Sequence, residues 1–226
     1  MKRVITALLA ALLVLSLAAC GSRVETKKLA GTWTCTIDVT DRMNAAAEQA
    51  LGLSAPDGAA KMPLQLVLTV AEDGAYTLRY DSDAVRTALD AYAAALHPAA
   101  VESVYAAAEE QGLSREEYDA AMEKAGITMD DMVAAIFAGV DEEELLSLLT
   151  GRSAALTGYC RAEGGQLYLA DTAAELAETA DCLSYTLSDG TMTWTDAQGE
   201  LSSQLTEQEQ ELLRVPLTWT KQEESK

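Results

Sequence analysis

The period of the apolar pattern changes several times along the chain. Trp33, Cys35, Ile37 and Val39 alternate with Thr32, Thr34, Thr36 and Asp38, which predicts a half-buried strand within 29–40. Met43, Ala47, Ala50 and Leu51 fall at helical spacing ahead of a Pro56-Asp57-Gly58 turn, and a short helix fits there. Leu64, Leu66, Leu68 and Val70 alternate, Glu72-Asp73-Gly74 turns the chain, and Tyr76, Leu78 and Tyr80 alternate again as the second arm of a β-hairpin.

From Ser82 to Thr150 nothing alternates and the period becomes helical. Val85, Leu89, Tyr92 and Leu96 form a stripe that His97-Pro98 is expected to stop; Val101, Val104, Tyr105 and Ala108 form the next, ended by Gly112. Ser114 with Glu117 and Thr128 with Asp131 have capping-box spacing, and each pair opens a further stripe, Tyr118/Met122 and Met132/Ile136/Phe137. Asp141 can cap a last helix carrying Leu145, Leu146, Leu148 and Leu149. Strand signals return after Gly151: 155–161 and 166–170 flank Glu163-Gly164-Gly165, and 183–187 and 191–195 flank Ser188-Asp189-Gly190. A helical turn is expected over 172–179, a polar helix-compatible stretch over 205–213, and a final strand over 217–220.

The chain opens with Met1-Lys2-Arg3 and a run from Val4 to Leu17 in which only Thr6 and Ser16 are not apolar. That run reads as a secretory leader, because as a helix it reaches about 21 Å against a hydrocarbon core of roughly 30 Å. Leu17-Ala18-Ala19-Cys20 then resembles the bacterial lipobox. The resemblance implies cleavage before Cys20 and diacylation of its sulfur by palmitate-like chains, since two acyl chains hold a protein on a membrane where one only visits. Four segments are therefore expected: a lipoprotein signal peptide (1–19), a lipidated tether (20–28) carrying Arg23, Lys27 and Lys28, a β framework (29–81 and 151–226) and a helical insert (82–150).

Leu29-Ala30-Gly31-Thr32-Trp33 resembles the L-x-G-x-W opening of lipocalin-like proteins. In that family the glycine turns the chain into a barrel and the tryptophan plugs its closed end. With it, the eight alternating stretches match an α+β fold, an antiparallel up-and-down β-barrel of about eight strands with a helical insert between the third and fourth. The resemblance also implies a basic side chain stacked on Trp33, for which Arg214 and Lys221 stand near the end of the barrel. All three tryptophans lie in Thr-Trp-Thr triplets, at 32–34, 193–195 and 218–220, which puts each tryptophan inward. The first and last strands are expected side by side, because closure removes two unpaired edges, with Trp33 and Trp219 together as the plug.

Charge and composition then narrow the function. The 226 residues carry 36 acidic and 16 basic side chains, a formal net charge of −20, which becomes −22 when Lys2 and Arg3 leave with the leader. Acid excess on that scale repels phosphate backbones, so nucleic-acid binding through a basic patch is excluded. The chain contains no H-E-x-x-H, C-x-x-C, G-x-S-x-G or G-x-x-x-x-G-K. His97, before a proline, reads as a surface or capping residue. Asp189 to Glu200 has the length of an EF-hand loop, but Trp194 takes the place that needs glycine.

Between Glu102 and Glu144 stand 13 acids against Arg115 and Lys124, a solvated helical face or a surface for calcium or a cationic partner. Cys35 is expected in the core, and Cys160 and Cys182 either bridged or buried as free thiols. No catalytic residue, metal or cofactor is expected. The expectation is a lipid-anchored, non-enzymatic binding module on the extracytoplasmic face of a bacterial membrane, holding a small apolar ligand or an envelope component. Tyr76, Tyr80, Tyr185 and Trp194 are its candidate ligand residues. The alternative is an interaction protein that presents the acidic insert to a partner protein.

Overall fold

Each alternating stretch forms a strand, and the strands pair in chain order. The computed structural model describes residues 25–53, 61–138, 155–179, 181–198 and 214–223; the leader with Cys20, the helix expected after Asp141 and the polar stretch 205–213 lie outside them. The strands are β1 (Gly31–Asp38), β2 (Pro63–Val70), β3 (Ala75–Tyr80), β4 (Leu156–Glu163), β5 (Gln166–Ala170), β6 (Cys182–Ser188), β7 (Thr191–Gln198) and β8 (Leu217–Lys221). They close into one barrel, β8 returning antiparallel to β1 with Trp33 opposite Lys221 and Thr34 opposite Thr220. The expected side-by-side placement of the first and last strands holds. Helix α1 (Thr40–Leu51) follows β1, and α2 (Ser82–Glu110), α3 (Arg115–Ala125) and α4 (Met129–Phe137) stand between β3 and β4.

Hairpins β2–β3, β4–β5 and β6–β7 turn at one end of the barrel, and the long connections leave from the other. Two of those turns, Gly164-Gly165 and Asp189-Gly190, have positive φ at both central positions, the handedness that matches the twist of the strands they join. Inward positions follow the expected phase: Trp33 and Cys35, Val70 opposite Tyr76, Cys160 opposite Leu169, Met192 opposite Trp219 and Trp194 opposite Leu217. One correction of phase is built in. The β6–β7 register shifts at Ser184/Tyr185, so that Tyr185 faces Trp194 while Leu183 faces Ala197. Thr195 is the extra residue of this irregularity, and on its near side Met192 and Trp194 are buried.

The chain divides into two compact units, Met1–Cys35 with Leu66–Tyr80 and Ala154–Lys226, and Thr36–Gln65 with Asp81–Ser153. In the second, Leu53, Ala100 and Val133 form a buried cluster with Leu51, Val101, Ile136 and Phe137 packed on it. Tyr92 donates to Asn44 Oδ1 at 2.7 Å and so ties α2 to α1. The expected stop at His97-Pro98 is overturned: α2 runs through Pro98. A proline inside a helix leaves one carbonyl without its N–H, but Val85, Ala88, Tyr92, Leu96, Ala100 and Ala108 are buried along a single stripe on both sides of it, and that packing outweighs the lost bond. His97 Nε2 lies 3.0 Å from Asp130 Oδ1 at the surface.

Both expected capping boxes are present, Ser114 with Glu117 and Thr128 with Asp131. Their likeness brings out a short repeat: Gly112-Leu113-Ser114-Arg115-Glu116-Glu117-Tyr118 is followed by Gly126-Ile127-Thr128-Met129-Asp130-Asp131-Met132 and, outside the described residues, by Gly139-Val140-Asp141-Glu142-Glu143-Glu144-Leu145. Each copy supplies a glycine, an aliphatic residue, a capping oxygen and two acids ahead of an apolar position.

Candidate functional site: the barrel interior

The turn end of the barrel is sealed by residues ahead of β1. Positions 25–29, expected as tether and strand start, form a helical turn bonded to the hairpins. Thr26 Oγ1 accepts from the Ala162 N–H at 3.0 Å, Glu25 Oε2 accepts from the Gly164 N–H at 2.8 Å, and Lys27 Nζ stands 3.5 Å from Glu72. These contacts satisfy backbone groups at the start of the β4–β5 turn, which is why the segment folds back instead of extending. Leu29 is buried beneath it, and its carbonyl accepts the Trp33 indole N–H at 2.8 Å.

Trp33 is then covered from the last strand. The Lys221 ammonium lies 5.3 Å from the Trp33 ring centroid, so of the two basic candidates it is Lys221 that stacks. Gly31 makes the crossing possible: its φ is +126°, and a Cβ there would stand 2.8 Å from Lys221 Cε. The spacing of Gly31 and Trp33 thus has a physical content, an open track for a basic stem over an indole.

Above this plug the bore is filled by large side chains. Trp33 and Trp219 are 0 % exposed and Trp194 is 6 % exposed. Trp219 stacks on Trp194 with ring centroids 4.7 Å apart and planes tilted by 47°. Tyr76 is buried and lies across Gly158, where a Cβ would come within 3.0 Å of its Oη. Tyr185, half-buried opposite Trp194, has its hydroxyl pKa raised by burial and then by the Glu25 carboxylate and Cys160. The structure thus places Tyr76, Tyr185, Trp194, Trp33 and Trp219 on the inner wall, with Trp219 partnered by Trp194.

Toward the far end the inner wall loosens on one side. Leu78 and Tyr80 on β3, Leu156 on β4 and Leu169 on β5 point inward by register with Leu68, Leu66, Leu78 and Cys160, yet all four are only half-buried. Leu78, Leu156 and Leu169 are missing from the residues singled out in the sequence, although the alternation of Leu78 with its neighbours already carried the signal.

The bore is electrically plain. Apart from Lys221, which is exposed over Trp33, its described inward positions are aliphatic, aromatic, methionine, glycine or cysteine. Cys160 is pushed up to about 12 by burial and, less, by Asp73, and burial also raises Cys35. Both stay protonated thiols, inert as nucleophiles. Cys35, Cys160 and Cys182 are all free and buried. A 160–182 bridge is ruled out by phase, because Cys160 pairs with Leu169 inside while Cys182 pairs with Tyr168, whose ring carries the Arg161 guanidinium outside at 4.3 Å. No group of three or more His, Cys, Asp or Glu among the described residues is arranged to hold a metal ion.

Fold and site together define a closed, eight-stranded, up-and-down antiparallel barrel, plugged at its turn end and consistent in shape with a lipocalin-like barrel. No protein-family model, curated protein or solved structure matches the chain.

Proposed function

We propose that this chain is an exported lipoprotein, anchored through a diacylated Cys20 on the extracytoplasmic face of a bacterial membrane, whose lipocalin-like barrel binds a small apolar ligand without catalysis. The observation that carries the binding reading is the loosened inner wall of Leu78, Tyr80, Leu156 and Leu169 above a packed tryptophan floor. A chamber with a sealed base and half-buried apolar side chains toward its other end suits an apolar guest. The lipobox supports the address. Cell fractionation of the wild type beside Cys20→Ser tests the anchor, equal membrane retention counting against it. Titration with a fluorescent apolar probe tests the chamber: Leu78→Asp is expected to weaken binding at least tenfold, and an unchanged affinity would refute the assignment.

One observation favours a second reading, an interaction protein that works through the acidic helices. Leu113 and Ile127, 39 % and 43 % exposed, are two of the three large exposed apolar residues among those described, and they occupy the same place in the repeat. A repeated exposed aliphatic beside repeated acids suits a basic amphipathic segment of a partner protein. Leu113→Ser with Ile127→Ser should abolish capture of such a segment while leaving probe binding unchanged.

A further inference from the structure

We propose that Trp194 and Trp219 hold an uncharged hydrogen-bond acceptor inside the barrel, so that the molecule it takes up carries a carbonyl or ester oxygen on an apolar body. The inference rests on the barrel being a binding chamber and narrows what the chamber accepts.

An indole N–H can only donate. Among the described residues, the Trp33 N–H has its acceptor in the Leu29 carbonyl, whereas the Trp194 and Trp219 N–H groups are buried with none. Two such donors on neighbouring strands, their rings 4.7 Å apart, depart from the rule that buried polar groups are paired. The wall offers no remedy. In a closed barrel the backbone carbonyls are used in the ladder and lie in the plane of the wall, not across the bore. Paired with the two indoles on the inner wall are Met192, Leu217 and Tyr185; of these only the Tyr185 hydroxyl is a good acceptor, and neither indole N–H donates to it. Neither nitrogen has open space beside it as the barrel stands, so an acceptor for these donors would come with a molecule that enters the bore and parts the two rings from their neighbours.

The same wall sets the charge of that molecule. An ionised carboxylate needs a cation or several strong donors when it leaves water, and among the described inward-phase positions Lys221, at the turn end of β8, is the one Lys or Arg. Its ammonium is taken up by the Trp33 ring and its side chain is exposed, away from the Trp194–Trp219 pair's height in the barrel. A ketone, ester or amide oxygen, satisfied by one or two neutral N–H groups, meets no such penalty. In an eight-stranded closed barrel β7 and β8 face β3 and β4 across the bore. The apolar body would therefore rest against Leu78, Tyr80 and Leu156, opposite the indoles that hold its oxygen.

The test compares decane, 2-decanone and decanoate on the full chain carrying Cys20→Ser, labelled with 15N at the indoles. With 2-decanone, two of the three indole N–H resonances should move downfield and lose exchange with water, while decane should leave them in place. Trp194→Phe and Trp219→Phe should each raise the ratio of the 2-decanone to the decane dissociation constant by about two- to tenfold, the worth of one neutral hydrogen bond. Decanoate at neutral pH should bind more weakly than the ketone. Binding of decane and 2-decanone with unmoved indole signals and unchanged ratios overturns the inference while the chamber stands, the donors then belonging to an ordered water. Tighter binding of decanoate overturns the neutral-ligand assignment. Failure of every probe to bind overturns the chamber and the inference together. The resonance arm uses native tryptophans, so the proposal stays falsifiable even where a phenylalanine variant fails to fold.

Discussion

Replacing Gly31 with alanine attacks the plug at its narrowest point. Two costs add. At φ +126° an L side chain is strained, about 1–3 kcal/mol for a backbone held in such a region. The new Cβ would also stand 2.8 Å from Lys221 Cε, so the lysine stem has to leave the Trp33 face and forfeits about 0.5–1 kcal/mol of ammonium–ring attraction. Gly31→Ala should therefore destabilise the protein by about 1.5–4 kcal/mol. Lys221→Met, which keeps the stem and removes the charge, should cost about 0.5–1 kcal/mol alone. In the double variant that second loss has already been taken, so the two changes should be subadditive by about the same 0.5–1 kcal/mol. Urea unfolding followed by tryptophan fluorescence measures all four corners of the cycle, with an unchanged slope as the check that only stability has moved. Additivity within about 0.3 kcal/mol would show that Lys221 gains nothing from the Trp33 ring and would refute the account of Gly31 as its track.

Three further outcomes are expected. Thr26→Val keeps the buried shape but strands the Ala162 N–H, and should cost about 1–3 kcal/mol in urea unfolding, whereas Thr26→Ser should cost under about 1 kcal/mol; equal losses would remove the hydroxyl from the argument. Ser114→Ala and Thr128→Ala should each lose about 0.5–2 kcal/mol and speed amide exchange in α3 or α4 alone. Glu117 and Asp131 are held below their ordinary values of 4.5 and 3.8 by hydrogen bonds from those caps. Their folded pKa values being the lower, this support is present above the ordinary values and fades as pH falls through and below them, so an acid titration of α3 and α4 protection that is flat from pH 5 to pH 2 contradicts it. Cys35 and Cys160, held as thiols by burial, should resist iodoacetamide at pH 8 in the native protein and react in urea; rapid native labelling of either would show the bore to be open to water.

The barrel was legible in the sequence because a half-buried strand writes its inner face as every second residue, and eight such stretches with turn residues between them leave few ways to pair. Closure followed from the edge-strand problem and from two Thr-Trp-Thr triplets at the chain's extremes. Two local readings went astray for a shared reason. At Pro98 and at 25–29 short-range rules point the wrong way, since a proline stops helices and an alternation begins at Leu29. In the folded chain the buried stripe from Val85 to Ala108 carries α2 past the proline, and bonds from Thr26 and Glu25 to Ala162 and Gly164, more than a hundred residues away in sequence, hold 25–29 as a turn of helix. The repeat at 112, 126 and 139 is written in the sequence, but a seven-residue unit stands out from the helical stripes around it only through the like caps at Ser114 and Thr128.

The interior shows where periodicity runs out. A period of two assigns a side chain to a face and says nothing of its height, so Trp33 and Trp219 can be grouped as a plug and Trp194 set apart without knowing which tryptophans meet. Height is set by the register of neighbouring strands, and β8 slides on β1 so that Lys221, not Trp219, stands opposite Trp33, while its other edge brings Trp219 against Met192 and Trp194. One tryptophan thereby acquires a lysine on its face and a carbonyl four residues back, and becomes a satisfied stopper. The other two acquire each other and no acceptor. The same residue type in the same triplet thus divides into floor and donor pair by register alone, and the division puts the chamber's polar chemistry on β7 and β8, facing its loosest wall.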